Sequence, residues 1–96
     1  MVYFLKVKVT YLSLLRDATG KREEEIDIPE NSSVDSLIKI LIRKYGDKIR
    51  PFLDPNSEVS EGIILSLNGE LLSSSDLQRK ITDEAEFMVG LPPFGG

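Results

Sequence analysis

The chain of 96 residues contains neither cysteine nor histidine. Those absences remove a thiol nucleophile, a thiolate metal site, a disulfide and an imidazole base, and with them most catalytic constellations that one chain can assemble alone. Chemistry must therefore come from carboxylates, amines, hydroxyls or the chain end, and no metal ligand set is expected. No apolar run is long enough to span a bilayer, and Met1-Val2-Tyr3-Phe4-Leu5 lacks the pattern of a signal peptide, so a cytoplasmic location away from membranes is the expectation. A net charge of −4 with no basic stripe argues against nucleic acid as a partner and for a basic patch on another protein.

What is present suits one ordinary globular domain: 41% hydrophobic and 29% charged residues, in a chain too short for a second domain. Val2 to Tyr11 alternates, with Tyr3, Leu5, Val7, Val9 and Tyr11 on one face and Val2, Phe4, Lys6, Lys8 and Thr10 on the other, the pattern of a half-buried strand. Leu12 to Thr19 loses the alternation and ends at Gly20, as a short helical turn would. Lys21 to Ile28 reads as an antiparallel edge strand stopped by Pro29. Its Glu23-Glu24-Glu25 run is read as a solvated rim that discourages edge-to-edge association, with a docking role as the alternative.

Ser32-Ser33-Val34-Asp35 fits a capping box, Ser32 accepting from the first turn and Asp35 reaching back. The helix behind it is the strongest periodic signal in the chain: Val34, Leu37, Ile38, Leu41, Ile42 and Tyr45 form one apolar stripe, closed by Gly46. Asp35, Lys39, Arg43 and Lys44 then form a solvated opposite side. Residues 47–60 read as a loop anchored by Ile49, Phe52 and Leu53. Ile63 to Leu67 is a strand, Asn68-Gly69 the preferred type I′ hairpin turn, Glu70 to Leu72 the returning strand, and Phe87 to Leu91 the last strand. One helix with one apolar stripe covers one face of a single mixed sheet of about five strands, an α+β arrangement. On the open face Val2, Phe4, Ile64 and Met88 are candidates for an exposed apolar patch that a partner would cover.

Beyond Leu91 the pattern changes, so residues 1–91 are read as the domain and residues 92–96 as an extended tail. Pro92 and Pro93 fix φ and remove two backbone donors, Phe94 is one apolar handle, and Gly95 and Gly96 lack a Cβ and pass through a narrow slot. From Pro93 to Gly96 the reach is roughly 13 Å. Such a stiff stalk with a bare flexible end suits insertion into another protein's active site; a Gly-rich end without a role is the plainer alternative.

Tyr11 to Gly20, the acidic strand ending Ile26-Asp27-Ile28-Pro29, the helix, Leu67-Asn68-Gly69 and Pro92-Pro93-Phe94-Gly95-Gly96 together resemble, in order and over nearly the whole chain, the small subunits of molybdopterin synthase. These are sulfur carriers of the ubiquitin-like β-grasp group. Two departures stand out: only Phe94 separates Pro93 from Gly95 where the family has two residues, and Thr82 to Glu86 replaces a glycine-containing turn.

The resemblance implies that no cofactor is bound and that an E1-like adenylyltransferase uses ATP and Mg²⁺ to adenylate the Gly96 carboxylate. A sulfurtransferase or other persulfide donor then converts it to a thiocarboxylate, and the molybdopterin synthase large subunit receives the sulfur. On that reading Gly96 reacts, Gly95 gives access, and Pro92, Pro93 and Phe94 steer insertion. Three alternatives remain open: a protein modifier joined through Gly96 to lysines, a carrier for thiamine or tRNA thiolation, and a non-covalent interaction domain.

Overall fold

The computed structural model describes residues 3–54 and 56–91. Strand β1, Phe4–Tyr11, buries Val7, Val9 and Tyr11 and leaves Phe4, Lys6 and Lys8 exposed, as alternation requires. Strand β2, Glu23–Pro29, pairs antiparallel with β1 and buries Ile26 and Ile28 on the same face. Between them α1, Leu14–Thr19, ends at Gly20, whose φ of +74° and N–H bond to the Arg16 carbonyl (2.8 Å) make it the expected left-handed cap.

Helix α2, Val34–Tyr45, lays Val34, Leu37, Ile38 and Leu41 on the sheet and stops at Gly46. Its N-terminus corrects the expected capping box. Ser33, not Ser32, is the cap and accepts from the Ser36 N–H (3.2 Å), while the Ser32 hydroxyl donates to the Pro29 carbonyl (2.6 Å). Asp35 pairs with Lys39 at 2.9 Å instead of reaching back. The cause is tertiary: the Val34 and Asp35 amides donate to the Arg79 and Leu77 carbonyls (3.0 and 2.9 Å), so the backbone of residues 77–79 satisfies these first-turn donors. A capping box does form at Ser73–Asp76, in the short turn at residues 74–76.

The expected loop is also corrected. Gly46–Lys48 and Glu58–Gly62 are short 3₁₀ helices, and Arg50–Leu53 is a one-turn helix, α3, with Pro51 in its first turn, where a missing N–H costs nothing. Ile49 and Leu53 are buried and Phe52 half-buried, so the three anchors do face the core.

Strand β3, Ile64–Leu67, turns through Asn68-Gly69, with φ of +51° and +85°, into β4, Glu70–Leu71. Strand β5, Ala85–Gly90, begins two residues earlier than expected because Ala85 pairs with Val7 and packs into the core. The sheet order is β2-β1-β5-β3-β4, with β5 parallel to β1 and every other neighbouring pair antiparallel. The last strand is therefore the central one, and the chain leaves the sheet from its middle.

Candidate partner site at the root of the tail

Pro92, Pro93, Phe94, Gly95, Gly96 and Val2 lie outside the described residues, which end at Leu91. Gly90 ends β5 opposite Ile64 of β3, and its predecessor Val89 lies opposite Tyr11 of β1. Leu91, half-buried, is the first residue past the strand.

Alternation puts Met88 and Gly90 on the open face, away from the helix, with Ser66 beside Met88 and Leu71 beside Ser66. Met88 is 41% and Leu71 74% exposed, and Ile64 is half-buried. These three apolar side chains lie together next to the root of the tail. Leu71 was not among the sequence candidates, although the Asn68-Gly69 turn contained the signal: a two-residue turn fixes the register and so sends Leu71 to the open face.

Phe4 does not join them. It is 61% exposed on the same face but lies opposite Pro29, six residues before the Thr10 that pairs with Met88, or about 20 Å along the strand. Lys6 and Lys8 fill the interval, Lys8 pairing with Glu23 at 3.2 Å, and Glu25, Glu84 and Glu86 complete a charged depression. The open face is thus divided: apolar at β3–β5 beside the tail, charged across β2–β1. Of the patch expected from Val2, Phe4, Ile64 and Met88, Phe4 lies apart, Ile64 and Met88 are joined by Leu71, and Val2 is outside the described residues.

The acidic run needs a second correction. Glu23 and Glu25 are exposed, but parity turns Glu24 toward the helix, and its side chain is only 8% exposed. One carboxylate oxygen accepts from the Tyr11 hydroxyl (2.6 Å) and from the Tyr45 hydroxyl; the other meets Lys44 at 2.6 Å and Lys21 at 3.2 Å. Tyr11 and Tyr45 meet edge to face, ring centres 6.1 Å apart. Burial opposes the charge on Glu24, but the donors from Lys44, Tyr11, Tyr45 and Lys21 outweigh it and hold the carboxyl at about 2. Burial first and the bond to Glu24 second push the Tyr45 hydroxyl up to about 12, and the same two causes raise Tyr11 further. The network ties β2 to the last turn of α2, and Lys44, expected on the solvated side of the helix, reaches across to it.

Among the described residues no group of acidic side chains is arranged to hold a metal ion, and no helix is long and apolar enough to cross a membrane. Around the root of the tail the exposed side chains are mainly apolar, Met88 and Leu71, with Ser66 between them and Thr10 on the other flank of Met88.

No protein-family model and no curated protein matches the chain by sequence. Solved structures do. A small archaeal modifier protein 1 from Methanosarcina acetivorans is 25% identical, with a TM-score of 0.72 over 98% of this chain and 99% of the other. A putative molybdopterin converting factor subunit 1 from Pyrococcus furiosus is 24% identical, with a TM-score of 0.70 over 92% and 98%. The complex of subunits 1 and 2 of the molybdopterin-converting factor from Helicobacter pylori contains a chain 17% identical, with a TM-score of 0.59 over 96% and 100%.

The chain has the ubiquitin-like β-grasp fold. In this β-grasp domain the grasped helix is α2, and the central strand β5 carries the tail.

Proposed function

We propose that the protein is a sulfur carrier that acts through the carboxylate of Gly96, as the small subunit of a molybdopterin synthase. A carboxylate is a poor acyl donor, so an E1-like partner joins it to the α-phosphate of ATP and releases pyrophosphate. The terminal sulfur of a persulfide from a sulfurtransferase attacks the acyl carbon and AMP leaves. A second thiol takes the inner sulfur into a disulfide, freeing the thiocarboxylate. The large subunit then passes that sulfur to the molybdopterin precursor. Bases, ATP and Mg²⁺ sites belong to the partners, in keeping with a chain that has no histidine and no cysteine.

The observation that carries this reading is positional. The chain leaves the sheet from its central strand, beside the exposed Met88 and Leu71 and the half-buried Ile64, so one partner can cover the apolar patch and receive the tail together. A subunit-1 chain of similar fold is found in complex with subunit 2 in the Helicobacter pylori protein, which supports a large-subunit partner. The likeness to small archaeal modifier proteins favours a second reading, in which a target lysine instead of sulfur attacks the same adenylate.

Intact-mass analysis of the protein co-purified from its host, and after incubation with ATP, the activating enzyme and a sulfur source, tests both. One oxygen exchanged for sulfur at Gly96 supports the carrier; Gly-Gly remnants on lysines of other proteins support the modifier. A terminus that stays a plain acid in every case overturns the proposal.

A further inference from the structure

Gly90 has no space for a side chain. A Cβ there would lie 2.4 Å from the Leu12 Cβ and 3.1 Å from both its Cα and its carbonyl oxygen. Its φ is not in the left-handed region, so the demand for glycine is steric, set by Leu12. Leu12 cannot easily retreat. Its N–H donates to the Val89 carbonyl at 2.9 Å, and its carbonyl accepts from the Leu15 N–H at 3.1 Å. Leu15 is fully buried and its carbonyl accepts from the Thr19 hydroxyl at 2.9 Å, so α1 is anchored behind the contact. Because Gly90 faces the open side, Leu12 closes that side of β5 where the chain leaves the sheet, with β1 and β3 on its flanks.

We propose that Leu12 and Gly90 are positioning residues for the reaction at Gly96: their contact fixes the backbone of Gly90 and Leu91 and so the direction in which the tail starts. This rests on the function proposed above. Five residues from Leu91 to Gly96 span at most roughly 17 Å, and an angular error at the root grows along that lever. A misplacement of about 1 Å at a reacting group can cost about a hundredfold in rate. Simple tight packing would affect stability alone.

The test compares wild type, Gly90→Ala and the double variant Leu12→Gly/Gly90→Ala. Adenylation by the host's activating enzyme is followed as pyrophosphate release from ATP, at a temperature where circular dichroism shows each variant folded. Gly90→Ala is expected to lower kcat about tenfold or more with KM within about threefold, since the apolar patch is untouched. The double variant, relieved of the 2.4 Å clash, recovers most of the loss. Because the chain has no cysteine, spin labels at Glu70→Cys and Phe94→Cys report the direction of the tail without any enzyme. Their distance distribution is expected to shift in Gly90→Ala and return in the double variant. An unchanged kcat or distribution in Gly90→Ala, or a loss confined to KM, overturns the positioning role while an active wild type leaves the sulfur-carrier reading standing. A wild type that is never adenylated overturns that reading, and with it the purpose assigned to the contact.

Discussion

The two faces of the sheet treat neighbouring residues of one strand in opposite ways. In β5, Phe87 and Val89 are wholly buried while Met88 between them is 41% exposed. In β2, Glu24 is drawn into a network of two tyrosines and two lysines while Glu23 and Glu25 face solvent. One step along the chain separates a residue that holds the fold from one free to meet a partner, because side chains on a strand alternate and one face only is covered by α2.

The sharpest way to break the contrast is a pair of truncations in β5. Phe87→Ala removes a fully buried ring and is expected to cost about 3–5 kcal/mol in urea unfolding. Met88→Ala is expected to change stability by under about 1 kcal/mol and to weaken partner binding in titration calorimetry. Equal stability losses would show that the open face is not free.

The pair in β2 comes next. Glu24→Gln leaves the lysines and tyrosines without their shared charge and is expected to lose ~2–3 kcal/mol, against ~0.5 kcal/mol or less for Glu25→Gln. The folded carboxyl at about 2 lies below its ordinary 4.5, so its contribution is present above about pH 4.5 and is lost as pH falls toward 2. Tyr45, raised from 10 to about 12, contributes stability below pH 10 that is lost as pH climbs to about 12. The acid melt should lose its slope in Glu24→Gln, which removes the titrating carboxylate, and the alkaline melt only part of its slope, since burial still holds Tyr45 up.

On the open face itself, Leu71→Ser and Phe4→Ser separate its two ends. Leu71→Ser is expected to weaken binding of the proposed large-subunit partner about tenfold and Phe4→Ser by less than about twofold, with melting temperatures near wild type for both. The smallest effect is expected at Glu84, whose φ is +60° in the turn where the resembling family has a glycine. Glu84→Gly relieves that backbone at some cost in unfolded-state entropy, for a net gain of about 0.5 kcal/mol in thermal unfolding.

Much of this was legible in residue order. The α2 stripe, the alternation of β1, Gly20 and Gly46 as helix ends and the Asn68-Gly69 turn are local signals that act within a few residues, and each appears where local physics places it. The features that were not legible depend on distant partners. Glu24 looks like its neighbours until Lys44 and Tyr45 are folded beside it, the cap of α2 moved because residues 77–79 supply its acceptors, and the short helical turns of residues 46–62 carry too few residues for a period. Gly90 gave no local sign that Leu12 would sit on it.

The types of the long elements, the Asn68-Gly69 turn and the apolar stripe were determined by the sequence alone, since propensity and periodicity are properties of residues and their near neighbours. Only the tertiary structure decided that the last strand lies at the centre, that Phe4 is parted from Met88, and that Leu12 closes over the root of the tail. Those depend on strand order and register, which are set by contacts between residues far apart in the chain.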